Sequence, residues 1–242
     1  MRNFGLLGKH IDYSFSRGYF KDKFETNKLD CSYNNFDLET IEDFEGIKTS
    51  AQLSGLNVTI PYKQEVIPYL DAIDLEAQEI GAVNTIKIKD GKLTGYNTDH
   101  YGFEHSLKPH LKPSHKKALI LGTGGASKAV AFALKKLGIS FEYVSRTQSS
   151  AVKYSYDSLN KKGIKDYQII INCTPLGTFP DITKCPQIPY QQITSNHLLF
   201  DLIYNPEETL FLKQGKKNNA TTLNGLEMLR LQAEKSWEIW NS

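Results

Sequence analysis

Hydroxyls, amides, an ammonium and a carboxylate recur at short spacings through the first hundred residues. Ser14 and Ser16 lie two apart, which in extended chain turns both hydroxyls to one side. Asn57 and Thr59 repeat that spacing at the end of an apolar run. Lys63 follows just past Pro61, Asn84 ends an Ala-Val-Asn segment, and Asp99 closes Asn-Thr-Asp. Taken singly, each has an ordinary use. Ser14 can cap a helix, Asn84 and Asp99 can serve turns, and Lys63 can be solvated charge. Together they form an inventory suited to a small polyhydroxylated acid.

A second constellation begins at Gly122. Gly122, Thr123, Gly124, Gly125, Ala126 and Ser127 sit between an apolar run, 116–122, and an amphipathic stretch reaching Gly138. Glycines there permit a tight turn and let backbone N–H groups approach a pyrophosphate at the positive end of a helix. Ser127 stands where the plain fingerprint has its third glycine. The next strand ends Ser145-Arg146-Thr147, and a guanidinium between two hydroxyls suits a 2′-phosphate. Glu142, the acidic residue nearest the right distance for a ribose, falls inside that strand.

These positions need a scaffold, and hydropathy patterning supplies one. Strands are expected at 4–8 and 55–60, with a hairpin over 85–97 turning at Asp90-Gly91 and helical patterns between 63 and 80. A linker is expected at 108–116, where Pro109 and Pro113 stand. Beyond it, strands at 116–122, 140–145, 168–172 and 197–203 alternate with helices over 122–138 and 225–240. That alternation is the signature of a parallel, doubly wound α/β sheet.

The net charge is +2, which argues against a dedicated nucleic-acid partner. The two parts differ, however: residues 1–100 carry −5 and residues 101–242 carry +7. A basic second part fits an anionic ligand. Cys31, Cys173 and Cys185 form no paired motif, so a reducing cytoplasm is expected, without disulfides or zinc. The histidines show no metal-binding spacing, and no apolar run is long enough for a membrane span.

With these residues in view, the chain resembles the shikimate dehydrogenase family over nearly its whole length. The matching segments are YSFS at 13–16, NVTIPYK at 57–63, GAVNT at 81–85, GYNTD at 95–99, GTGGAS at 122–127, SRT at 145–147, NCTPLG at 172–177, DLIYNP at 201–206 and NGLEML at 224–229. The resemblance implies NADPH-dependent, reversible reduction of 3-dehydroshikimate to shikimate, a step of aromatic amino acid and chorismate biosynthesis. It implies a discontinuous substrate domain, 1–100 with 225–242, a Rossmann-like NADP domain over 101–224, and an active site in the cleft between them. Lys63 and Asp99 would be the general acid–base pair. Ser14, Ser16, Thr59, Asn84, Tyr204 and Gln232 would join them in holding substrate. Gly122, Thr123, Gly124, Gly125 and Ala126 would cradle the pyrophosphate, and Ser145, Arg146 and Thr147 would meet the 2′-phosphate end. Thr174, Leu202 and Gly225 fall where the family approaches the rest of the cofactor. The expected partner is a small molecule, with no nucleic acid, membrane or metal, and the expected assembly is a monomer or homodimer.

The chain departs from the family pattern in places. Tyr13 and Arg17 flank the two serines, and Ser145 replaces the usual Asn before Arg146. Gln148, Ser149 and Ser150 stand where a second arginine often follows, with Lys153 as a partial substitute. About 25 residues separate Arg146 from Asn172, so one helix of the nucleotide domain is expected to be trimmed or lost. Two other readings stay open: an NAD-preferring quinate/shikimate dehydrogenase, against which Arg146 stands, and a non-catalytic nucleotide-binding relative, which would not need both Lys63 and Asp99.

Overall fold

The computed structural model describes the whole chain except Tyr13, Ala51, Gln148 and Ala151 and the side chains of Thr49 and Ser50. The chain divides into two compact units, Met1–Thr98 with Ala233–Ser242, and Asp99–Gln232.

The first unit runs β1 (Arg2–Gly8), α1 (Phe15–Thr26), β2 (Cys31–Asp37), α2 (Phe44–Ser50), β3 (Leu53–Val58), β4 (Ala72–Ile73), α3 (Leu75–Ile80), β5 (Thr85–Lys89) and β6 (Lys92–Tyr96). Its sheet has the order β2-β1-β3-β5-β6-β4. β1 is parallel to β2 and β3, whereas β5 is antiparallel to β3 and β6. The β5–β6 hairpin turns at Asp90 and Gly91, both at positive φ (51° and 74°), as a two-residue turn matched to strand twist requires.

The helical pattern expected over 63–80 shrinks to α3. Proline at 68 interrupts the helical register, and a short strand at 72–73 claims the backbone for β6. α3 itself starts on an Asp74 cap and stops at Gly81, which takes the left-handed conformation.

The second unit runs α4 (Asp99–Leu107), β7 (Lys117–Leu121), α5 (Gly125–Lys136), β8 (Ser140–Ser145), β9 (Tyr154–Ser155), α6 (Tyr156–Lys162), β10 (Ile169–Asn172), β11 (Leu198–Asp201), α7 (Leu210–Lys217) and β12 (Thr221–Leu223). Its sheet is parallel throughout, in the order β12-β11-β10-β7-β8-β9. Numbered within the unit from β7, this is the 3-2-1-4-5-6 doubly wound order. Both faces are covered, so the strands read as unbroken apolar runs. Ala118, Ile120, Ile169, Ile171, Leu198 and Phe200 face one core. Leu119, Leu121, Ile170 and Leu199 face the other. α6, seven residues long, stands in the shortened stretch after Arg146: that helix is trimmed, not lost.

The last helix, α8 (Leu226–Asn241), crosses the division. Met228 packs with Phe103 and Phe200, while Ala233 and Trp240 pack with Phe4, Phe20 and Tyr33. The division therefore falls within α8 and not before it at 224/225, and at 98/99 in place of 100/101. Trp240 ties the end of the chain to the first unit. Its ring lies 4.7 Å from Phe4, and its Nε1 donates to the Ile86 carbonyl at 3.0 Å.

Candidate active site

In the first unit, the residues read as a substrate set stand at the ends of strands and at the start of α1. Ser14 is the N-cap of α1, accepting from the Arg17 backbone at 3.4 Å, and Ser16 lies in the first turn. The extended reading of this pair is thus corrected: helix formation beginning at Phe15 wins over strand spacing, and the capping role is the one observed. Thr59 follows β3, its backbone N–H bonded to the Leu7 carbonyl at 2.8 Å. Lys63 is half-buried in the turn beyond, and its carbonyl accepts from Val83 at 2.7 Å.

A buried network joins several of these positions. The Tyr33 hydroxyl donates to Asn57 Oδ1 at 2.8 Å and also faces Ser16. Burial pushes the Tyr33 phenol far up, so it remains a donor. Asn57 Nδ2 reaches Ser236 Oγ at 3.0 Å, and the Thr85 hydroxyl and Asn84 carbonyl at 3.3 Å each. Ser236 Oγ, contributed by α8, also pairs with the Thr85 hydroxyl at 2.8 Å and the Thr98 hydroxyl at 3.2 Å. Asn84 Oδ1 accepts from the Thr98 backbone at 2.7 Å, and Asn84 Nδ2 donates to the Thr98 hydroxyl at 3.0 Å. Asn57, Asn84, Thr85, Thr98 and Ser236 are all 3% exposed or less. Tyr33, Thr85, Thr98 and Ser236 are not among the expected site residues. Their partners lie far apart in the sequence, so no local signal marks them.

In the second unit, the carboxyl ends of β7, β8, β10 and β11 carry expected cofactor residues. β7 runs straight into Gly122, whose φ of 101° favours glycine, and an added Cβ there would come within 3.0 Å of Thr174 Cγ2. Gly124 is the N-cap of α5, and a Cβ on Gly124 or Gly125 would meet nothing within 4 Å. The loop therefore leaves room beside a helix N-terminus, the arrangement that accepts a phosphate. Ser127 does not spoil the loop. Its hydroxyl turns back to the Gly124 carbonyl at 2.7 Å, and the residue is 1% exposed.

At the end of β8, Ser145 is half-buried while Arg146 and Thr147 are exposed. Arg146 makes no hydrogen bond or ion pair among the described residues. Glu142 and Lys153 form an ion pair with each other, and Lys153 also lies over the Tyr154 ring. In this structure Lys153 is thus paired with a residue of β8. Gln148 lies outside the described residues.

Thr174 is fixed by Asn172, whose Oδ1 accepts from its backbone at 3.0 Å and its hydroxyl at 2.7 Å. Leu202 donates its N–H to the Asn172 carbonyl at 3.1 Å, and Gly225 donates to the Ile203 carbonyl at 3.0 Å. A Cβ on Gly225 would fall 2.1 Å from the Leu202 carbonyl oxygen, so only glycine fits this approach. Three residues of the expected substrate set belong to this unit. Asp99 is 7% exposed at the start of α4, Gln232 is 6% exposed on α8, and Tyr204 is half-buried after β11, its phenol pushed up by burial.

Among the described residues no helix is long and apolar enough to cross a membrane, and no group of three His, Cys, Asp or Glu is placed to hold a metal ion. The cysteines Cys31, Cys173 and Cys185 are free thiols.

Comparison with known proteins adds a consistent set of likenesses. Residues 6–86 match the family model of the shikimate dehydrogenase substrate binding domain. A shikimate dehydrogenase (NADP(+)) of Methanosphaera stadtmanae is 40% identical over 98% of this chain and 90% of its own. A crystal structure of a shikimate dehydrogenase in complex with NADP+ is 37% identical, with a TM-score of 0.89 over 99% of this chain and 90% of that one. The shikimate 5-dehydrogenase of Thermus thermophilus, solved with NADP(H) and shikimate, is 31% identical, with a TM-score of 0.88 over 99% of this chain and 93% of that one.

Proposed function

The chain belongs to the shikimate dehydrogenase family, and we propose that it is an NADP-dependent oxidoreductase that interconverts 3-dehydroshikimate and shikimate. The observation that carries this reading is the 40% identity to a shikimate dehydrogenase (NADP(+)) across 98% of the chain. The glycine loop, which leaves open space at the helix N-terminus, agrees with it.

When bound, NADPH would supply the hydride. The residues of the chain handle everything else. A ketone that receives hydride becomes an alkoxide, which needs a proton and a nearby positive charge. The Lys63 ammonium is assigned both tasks at the substrate oxygen. Asp99 is assigned the carboxylate of the general acid–base pair. Ser14 and Ser16 bind the substrate carboxylate, while Thr59, Asn84, Tyr204 and Gln232 hold the ring hydroxyls. Gly122 to Ala126 would take the pyrophosphate, and Ser145, Arg146 and Thr147 would take the 2′-phosphate. Thr174, Leu202 and Gly225 would line the remainder of the cofactor. Free thiols support a reducing, cytoplasmic setting. The +2 net charge supports a small-molecule partner over nucleic acid, and a monomer or homodimer with no membrane association is part of the same proposal.

Steady-state assays that pair shikimate or quinate with NADP or NAD test the reading. Turnover should be strongest with shikimate and NADP, and reaction with quinate and NAD alone overturns it. Lys63→Ala should remove most turnover while shikimate still binds, and normal turnover would withdraw Lys63 from its role.

A further inference from the structure

Asp201 is a fully buried carboxylate at the carboxyl end of β11 that the chemistry above leaves unused. Its Oδ1 accepts from Asn172 Nδ2 at 3.0 Å and from the Ile203 backbone at 3.1 Å. Its Oδ2 accepts from the Thr209 hydroxyl at 2.6 Å. One side chain thus clasps three segments. Through Asn172 it reaches the backbone and hydroxyl of Thr174. Through Ile203 it fixes the turn that carries Leu202 and Tyr204, and through Thr209 it holds the start of α7. Asn172, its register partner on β10, is also fully buried, so no water can replace these bonds.

We propose that Asp201 is a positioning residue for the dinucleotide: its charge holds the loops after β10 and β11 so that Thr174 and Leu202 meet the cofactor. This rests on the reading of Thr174 and Leu202 as cofactor contacts. A neutral amide could bridge two loops as well, so the choice of a charge requires an explanation. The three donors are uncharged, and no cation among the described residues is bonded to the carboxylate. Burial therefore dominates and raises its pKa to about 6. The titratable groups coupled to it are Cys173 beside β10 and Tyr190 on the segment before β11, and burial pushes both up, so both stay neutral. The carboxylate is thus a burden on stability at neutral pH and a grip on the loops at the same time.

Asp201→Asn separates the two effects. The amide oxygen can still accept from Asn172 and Ile203, while the amide nitrogen reverses the bond to Thr209. The variant should melt at a higher temperature than the wild type at pH 7.5, with this advantage shrinking as the pH falls below about 6. Its Kd for NADP, measured by calorimetry, should rise about tenfold, the worth of one lost charge-assisted hydrogen bond. Its Kd for shikimate should stay within about twofold of the wild-type value, far below one such bond. An unchanged Kd for NADP overturns the inference. A lower melting temperature with both ligands weakened overturns it too, since that marks a merely structural link. If Asp201→Asn does not fold, Thr209→Val removes one donor and keeps the charge. It should raise the NADP Kd while lowering the melting temperature, and wild-type NADP binding in that variant overturns the inference. A wild-type protein that binds neither NADP nor NAD overturns the proposed function as well, whereas normal wild-type binding with an unaffected Asp201→Asn overturns this inference alone.

Discussion

Tyr33→Phe removes one oxygen atom and leaves the rest of the side chain in place. The ring keeps its stack on Phe20, at 4.8 Å between centroids and 15° between planes. What disappears is the donor to Asn57 Oδ1 at 2.8 Å. Asn57 is 3% exposed, so water cannot take over, and a bare buried acceptor costs about 1–3 kcal/mol. For a chain of this size that corresponds to a fall in melting temperature of roughly 2–12 °C. The amide of Asn57 is also the hub that reaches Ser236, Thr85 and the Asn84 carbonyl. An amide that turns to find a new donor loosens Asn84 and exposes Ser16 to a changed neighbour. Losing about 1 kcal/mol of substrate positioning raises the KM for shikimate roughly fivefold. The KM for NADP should not move, because every bond lost lies in the first unit. Thermal melts and steady-state kinetics with each substrate varied check both parts. An unshifted melting temperature together with an unshifted KM for shikimate would refute the reasoning, since the network would then re-form without its phenol.

Arg146→Ala should raise the KM for NADP by about 10- to 100-fold, as loss of a charged hydrogen bond to phosphate implies, with little change for NAD. Equal effects on both cofactors would remove Arg146 from the 2′-phosphate. Gly225→Ala places a Cβ 2.1 Å from a backbone oxygen that no rotamer can move, so stability should fall by about 1–3 kcal/mol or more and NADP binding should weaken as Leu202 shifts. Wild-type cofactor affinity in that variant would show that the close approach is incidental. Acid should also weaken the second unit. The Nδ1 atoms of buried His115 and His197 accept backbone N–H bonds from Lys112 and Thr194, and burial lowers both pKa values. The neutral forms are favoured in the fold, so this stability is complete above about pH 6.5 and drains away as the pH falls below it. His115→Asn with His197→Asn should flatten the loss, and an unchanged slope in melting temperature between pH 7.5 and 5 would contradict this account.

The second unit is the more legible part of the sequence because its signals are local. An apolar run, a glycine loop and an amphipathic helix follow one another within 116–138, and parallel strands buried on both faces cannot help reading as apolar. The hairpin at Asp90-Gly91 is legible for the same reason, as its turn chemistry lies in two adjacent residues. α1 is not. Its buried residues are only Phe20 and Phe24, and the rest is largely charged or polar, so the helix rests on aromatic packing against Tyr33 and Trp240 from distant parts of the chain. The polar network is hidden for a related reason. Asn57 and Ser236 are 179 positions apart, and no spacing rule connects them. The ion pair of Lys153 with Glu142, 11 positions away, is likewise marked by no spacing rule.

The two polar networks predict stability effects of opposite sign, and that difference separates their physics. Around Asn57 every group is an amide or a hydroxyl, so burial costs little once the bonds are made, and removing any one leaves a deficit. Around Asp201 the acceptor is an ion. Moving a carboxylate from its ordinary pKa of 3.8 to about 6 corresponds to roughly 3 kcal/mol at neutral pH, set against a total stability on the order of 5–15 kcal/mol. By linkage, a raised carboxylate pKa means that the fold binds a proton more tightly than the unfolded chain. Its contribution to stability is therefore full below about pH 4 and is lost as the pH rises through about 6. At neutral pH, removing the charge should stabilise the fold, whereas removing the Tyr33 hydroxyl should weaken it. If both substitutions lower the melting temperature at pH 7.5, the donors of Asn172, Ile203 and Thr209 outweigh the burial of the ion, and Asp201 does not trade stability for cofactor binding.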